Sequence, residues 1–348
     1  MSWLRIGLAI TCLARALPVA AQQTTPVEPA LRRWIEIQNL TLSDRYRYIE
    51  NNRDVVTSNH LQYKDTFRGR FNFDAEHRFT LNAGIFSGNN FTGSWNNTGI
   101  GTGDGDIKDH YLKQLFGSAI PITGLEVQYG GLYFSRGEST EVTTYDEDGY
   151  LVGERVTVRR PDKLWLDEVT VTRAMVGPTQ TPFVGSRWDG LTDPNYTQVL
   201  TAKKFSNAVS GSLDYSTQSD ADTIRAAVSI RLAPSRPISL IRYEQYYRTT
   251  PNEAAGFALW LERPITSYLR AQGGYATIDE NYGGLNADRF QRGRRVFAIA
   301  NLRLVGPLSA SFFVTQAFHA DYSISNSTRF DAVLTYDVLS SLRKTGVF

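Results

Sequence analysis

Leu61-Gln62-Tyr63-Lys64-Asp65-Thr66-Phe67-Arg68-Gly69-Arg70-Phe71-Asn72-Phe73 alternates along most of its length. Successive side chains of a strand point to opposite sides. Leu61, Tyr63, Phe67, Phe71 and Phe73 therefore share one face, and Gln62, Lys64, Thr66, Arg68, Arg70 and Asn72 share the other. Leu40 to Ile49 repeats the plan, with Leu40, Leu42, Tyr46 and Tyr48 opposite Thr41, Ser43, Arg45 and Arg47. So does Thr223 to Leu232, where Ile224, Ala226, Val228 and Ile230 oppose Arg225, Ser229 and Arg231. In Phe330 to Leu339, Ala332, Leu334 and Tyr336 oppose Asp331, Thr335 and Asp337. Segments of about ten residues with this period, separated by turn residues, mark a transmembrane β-barrel. A soluble β-sandwich alternates as well, so the lengths of the connections decide.

Strands fit near 40–49, 61–73, 79–86, 110–116, 125–134, 150–160, 164–174 and 198–205 in the first half. The second half takes them near 208–216, 223–232, 239–247, 255–263, 267–278, 296–304, 308–318 and 330–339. Odd-numbered connections are then mostly long, among them 50–60, 87–109, 135–149, 175–197 and 279–295. Even-numbered ones are short, at 74–78, 117–124, 161–163, 206–207, 233–238, 264–266 and 305–307. A sandwich gives no reason for such alternation, whereas a membrane barrel has short turns at one rim and long loops at the other. Pro161, Pro234, Pro264 and Pro307 stop the strands at the short turns. The expected fold is all-β: a closed antiparallel transmembrane barrel of about 16 strands, within a range of roughly 14 to 18, with short periplasmic turns and long extracellular loops. Both termini then fall on the short-turn side.

Ahead of the strands, Met1 to Ala21 carries Arg5, the apolar run Ile6 to Leu13 and Ala16-Leu17-Pro18-Val19-Ala20-Ala21. That order reads as an export signal cut after Ala21. Residues 22–39 become a periplasmic N-terminal segment, and 40–348 a barrel with a short C-terminal tail. Cys12 is the only cysteine and leaves with the signal, too near the start for lipidation, so neither a disulfide framework nor a thiolate site is expected. The 37 Lys and Arg, less Arg5 and Arg15 of the signal, equal the 35 acids. This neutral balance argues against nucleic acid as a partner. Beyond the signal no apolar run approaches the ~20 residues of a membrane helix, so any membrane is crossed by strands.

In lipid the polar face of each strand must turn to an aqueous interior. Arg45, Arg47, Lys64, Arg68, Arg70, Arg225, Arg231, Arg242, Arg270 and Arg303 are thereby expected to line a pore, with the acids Asp167, Glu244, Asp331 and Asp337. The excess of cations on the early strands lowers the entry barrier for anions. In the competing reading these arginines pair with carboxylates such as Asp74 or Asp337 and stiffen the wall. A second candidate is a constriction in which Asp146, Glu147 and Asp148 fold inward opposite Arg155 and Arg159; a solvated hairpin tip at Asp148-Gly149 competes with it. The loop 175–197, with Trp188, is the other segment that could turn inward. His60, His77, His110 and His319 fall in or beside loops and turns, outside any nucleophile motif, so no catalysis is expected. Asp146 to Asp148 lacks the spacing of a calcium loop and no His or Cys cluster suggests zinc, so no metal or cofactor is assigned.

In Arg45-Tyr46-Arg47-Tyr48, in Tyr111-Leu112-Lys113-Gln114-Leu115 followed by Thr123-Gly124-Leu125-Glu126-Val127, and in the final Phe348, the chain resembles bacterial porin-type outer-membrane proteins. The resemblance is to the broad group that includes alginate-export and carbohydrate- or phosphate-selective porins. It implies a Gram-negative outer membrane, lipopolysaccharide and bilayer as surroundings, and insertion by the outer-membrane assembly machinery, which in the family reads a last strand ending in Phe. Lys344 and Gly346 depart from that signal, so either the last strand is longer than 330–339 or Phe348 is on a periplasmic tail. A barrel near sixteen strands leaves an aqueous channel. The expectation is a porin for passive diffusion of small hydrophilic solutes. A structural or adhesive barrel with a side-chain-filled lumen is the alternative, and whether a homotrimer forms is left open.

Overall fold

The computed structural model describes residues 34–88, 93–102, 110–144, 149–160, 164–176, 181, 183–233, 235–279, 290, 292–319 and 326–345, without the side chains of 189, 190, 319, 326 and 327. The export signal, Asp146 to Asp148, and Phe348 lie outside the described residues. Seventeen strands follow one another: β1 (Ile35–Asn51), β2 (Val56–Asn72), β3 (Phe79–Phe86), β4 (Asn96–Gly101), β5 (Tyr111–Ile122), β6 (Leu125–Leu132), β7 (Leu151–Val158), β8 (Glu168–Met175) and β9 (Tyr196–Lys204) come first. Then come β10 (Val209–Gln218), β11 (Ala221–Arg231), β12 (Leu240–Arg248), β13 (Ala254–Pro264), β14 (Leu269–Ile278), β15 (Gly293–Arg303), β16 (Leu308–His319) and β17 (Asn326–Asp337).

Each strand pairs antiparallel with the next, except that β3 pairs directly with β5. β4 pairs with the upper part of β2, through Tyr63↔Asn96 and Gln62↔Asn97, above the point where β3 ends at Thr66↔Phe86. The last strand returns to the first, from Thr41↔Asp337 to Glu50↔Thr328, and closes a ring of 16 strands. Closure leaves no unpaired edge, which is what lets a sheet exist in hydrocarbon.

The burial of the strands is inverted relative to a water-soluble protein. In β11, Thr223, Arg225, Ala227 and Ser229 are at most 4% exposed, while Ile224 and Val228 between them are 42% and 39% exposed. Arg45 and Arg47 are buried inside β1 and Leu42 and Tyr46 exposed outside it. Exposed aromatics ring the outside near the short turns, at Phe73, Phe79, Trp165, Phe205 and Tyr268, and again toward the loops, at Tyr46, Tyr215, Tyr247 and Phe318. An apolar outer belt between two aromatic girdles is the surface of a barrel that sits in a membrane.

Several strands run past the ends the alternation suggests. The expected 50–60 loop shrinks to residues 52–55, because the Asn51 side chain accepts the N–H of Arg53 and Val55 and closes a tight turn. The 117–124 connection is a two-residue turn, Thr123-Gly124, with Gly124 at φ 82, a left-handed conformation that glycine takes without strain. Conversely, β7 ends at Val158 and β8 begins only at Glu168, so Leu164 and Trp165 sit exposed on the rim rather than in a strand. Asp337 ends β17 and caps a helix, α1 (Val338–Lys344), by accepting the Ser340 N–H at 2.9 Å. The last strand therefore ends at Asp337, near the expected end at Leu339.

Candidate functional site

Inside the ring, three loops from the long-loop end fold inward and define the space that remains. The 133–150 connection crosses from β6 along the inner wall to β12. Gln198 of β9 donates to the Ser135 carbonyl at 2.9 Å, Ser212 of β10 accepts the Glu138 N–H at 2.8 Å, and Arg225 of β11 donates to the Thr143 carbonyl at 3.1 Å. On β12 the buried Glu244 carboxylate accepts the Thr143 hydroxyl at 2.6 Å and the Thr140 N–H. Val142 packs beside Tyr246, Ala258 and Trp260 in an apolar cluster that continues through Phe290, Phe297 and Phe313. A carboxylate bonded to a loop's own amide and hydroxyl fixes that loop more firmly than neutral contacts do.

The 176–195 connection contains a 3-10 helix (Val184–Thr192). Val184 joins a second apolar cluster with Phe116, Leu132, Tyr150 and Val152, and Tyr150 donates to the Thr181 carbonyl at 2.7 Å. The described parts of the 133–150 and 176–195 connections turn inward, and the acidic tip Asp146 to Asp148 lies outside the described residues. The third segment, after β3, lays Trp95 over the Arg45 guanidinium, 4.1 Å from ring centroid to carbon, with the Lys64 ammonium at 5.8 Å.

All ten lumen cations expected from the alternation occupy the inward register of their strands. Arg45 donates to Gln62 at 2.9 Å, and Arg45, Arg47 and Arg329 converge on Asp331, with Arg47 at 3.1 Å and Arg329 at 2.5 Å. Arg68 lies between the rings of Phe86 and Tyr133, Arg70 pairs with Glu36 at 2.6 Å, and Arg225 pairs with Asp214 at 2.8 Å. Arg242 donates to Ser229 at 3.0 Å and Arg270 faces Glu262 at 3.5 Å, while Arg231 and Arg303 are exposed at strand ends. Of the two bases set opposite the acidic tip, Arg155 is buried and donates to Thr172 and the Tyr133 carbonyl. Arg159 instead sits at the short-turn rim between Glu126 at 3.0 Å and Glu168 at 2.7 Å, far along the strand from the loop.

The carboxylates expected to hold the arginines are engaged elsewhere. Asp337 caps α1, and Asp74 closes the β2–β3 turn, where the Phe79 N–H at 2.8 Å holds its carboxyl below the usual range. Asp167 stands at the rim, its carboxyl lowered by the Lys204 N–H and by the Lys203 ammonium at 3.0 Å. Sequence reasoning missed Arg295, Arg329 and Trp95. The first two lie in register two residues before Phe297 and Asp331, on strands that start earlier than the apolar alternation does; extending the period upward would have found them.

No family model matches the chain, and no curated protein matches it. Solved structures do. A triple mutant of Rhodopseudomonas blastica porin superposes with a TM-score of 0.56 at 11% identity, over 87% of this chain and 99% of that one. Salmonella typhi OmpF in complex with daunomycin gives 0.55 at 10% identity, over 87% and 97%. Together with the closed 16-strand ring and its apolar belt, these likenesses give the chain the porin-type fold of a bacterial outer-membrane β-barrel.

Proposed function

We propose that this protein is an outer-membrane channel through which small hydrophilic solutes diffuse passively, with a preference for anions. The observation that carries the reading is the composition of the inward face. Arg45, Arg47, Arg68, Arg70, Arg225, Arg231, Arg242, Arg270 and Arg303, with Lys64, are on the inward face against fewer carboxylates, chiefly Glu36, Asp214, Glu244, Glu262 and Asp331. A wall with excess fixed positive charge concentrates anions in the water beside it. The 133–150 loop, held on Glu244 and Arg225, narrows the passage to an eyelet.

Residues 1–21 direct export, the assembly machinery inserts the barrel, and lipopolysaccharide surrounds it. Gly69, Ala83, Gly117 and Ala119 on the outside of β2, β3 and β5, with the exposed Phe71, Phe79 and Leu81 among them, offer a face against which further copies pack as a homotrimer. Planar-bilayer recording of the purified protein tests the channel: discrete conductance steps are expected, and none above background rejects it. The two apolar clusters inside the ring favour a second reading, a structural barrel with a filled lumen, which such silence would support.

A further inference from the structure

The short-turn rim has two unlike halves. On one, Arg70 pairs with Glu36 and Arg159 with Glu126 and Glu168, while Lys203, paired with Asp167, is on the outward register and Lys204 is, among the described residues there, the inward cation without an ion pair. On the other, β11 to β15 carry Arg231, Arg242, Arg270 and Arg303 inward near the short turns with Glu262 as the one described acid beside them, Glu244 lying farther up β12 under the 133–150 loop. The register places them side by side: Ser229↔Arg242, Leu240↔Glu262, Glu262↔Gln272, Arg270↔Asn301 and Arg303↔Ser309. Among the described residues Arg231, Arg242 and Arg303 form no ion pair, and the Arg270 side chain, though near Glu262, is 58% exposed. At strand spacing the arc is about 20 Å long. The inward loops pack higher in the barrel, and the arc stays open to the short-turn mouth. Arg343 and Lys344 in the last turn of α1 add positive charge at the same rim.

We propose that this arc is a binding site for multivalent oxyanions, small solutes carrying two or more phosphate or carboxylate groups. Guanidinium groups bind such oxygens through paired N–H donors, and several forks on a curved wall hold a multivalent anion where a single chloride is held weakly. Ser229, Gln272, Asn301 and Ser309, facing the same side, supply further donors. The inference deepens the anion preference proposed above and rests on the inward face being wet.

Two measurements separate its failure from that of the channel reading. Sodium tripolyphosphate and sodium citrate are titrated by calorimetry into the full chain folded in a zwitterionic detergent, and into the variant Arg231→Gln/Arg270→Gln/Arg303→Gln. Wild type is expected to bind at least about tenfold more tightly than the variant. If only one of the two anions does so, the ligand class narrows to phosphates or to carboxylates. Equal affinities, or no binding of either anion, overturn the site. Should the triple variant fail to fold, Arg231→Gln and Arg303→Gln alone, both at exposed strand ends, are each expected to weaken binding about threefold, and no change in either overturns it equally. In planar bilayers the same anions should block current more strongly from one compartment, and the variant should lose that sidedness. Block of equal strength from both sides overturns the placement at the short-turn mouth. Binding without any conductance leaves the site standing and removes the channel.

Discussion

Two stretches of the inner wall, β17–β1–β2 and β11–β15, receive arginines by the same alternation and treat them differently. On the first, Arg45, Arg47 and Arg329 gather on Asp331 under Trp95 and are at most 7% exposed. On the second, Arg231, Arg270 and Arg303 stand open to the mouth. An inward arginine is thus not yet a pore residue. A central carboxylate and an overlying loop turn it into framework, and their absence along the arc leaves its charge to act on solutes.

Removing the carboxylate from each region should separate them most sharply. Asp331→Asn leaves three guanidinium groups facing one another without their anion, and it should destabilise the barrel by about 3–5 kcal/mol. Glu262→Gln on the arc should cost about 0–1 kcal/mol. Urea unfolding in lipid vesicles, followed by tryptophan fluorescence, measures both, and equal losses would erase the distinction. Next, Glu244→Gln weakens the charge-assisted bonds to Thr140 and Thr143, with an expected cost of about 1.5–3 kcal/mol. Trypsin added to vesicles with outward-facing loops should then cleave faster at Arg136, and unchanged cleavage would show that the carboxylate does not hold the loop.

Trp95→Ala removes the ring over Arg45 and should lower stability by about 0.5–2 kcal/mol, read in the same urea titration. A smaller effect is expected at the rim. Arg303→Gln should shift the reversal potential toward cations, while Arg159→Gln, already neutralised by two glutamates, should move it less. The opposite ranking would mean that pairing is the wrong guide to which cations act.

What could be read in the sequence follows from what the bilayer enforces. Lipid demands an apolar outer face every second residue, so the number of ring strands and the inward side of each were legible in Leu61 to Phe73 and its counterparts. Above the membrane both faces meet water and the demand lapses. The upper ends of β1, β2, β15 and β17 were therefore missed, and Arg295 and Arg329 with them. Partners were illegible for another reason. Arg47 meets Asp331 across 284 residues of sequence, only because β17 closes on β1 in one register. The anchoring of Thr140 by Glu244, 104 residues later, likewise depends on how a loop crosses a closed ring. Period two reports a face and carries no information on the neighbour across it.

The sign of the zero-current potential across a potassium chloride gradient, with wild-type protein in a planar bilayer, bears most directly on the excess of fixed positive charge along the inward face. The account predicts a potential of the sign set by chloride permeating faster than potassium. A potential of the opposite sign would contradict it.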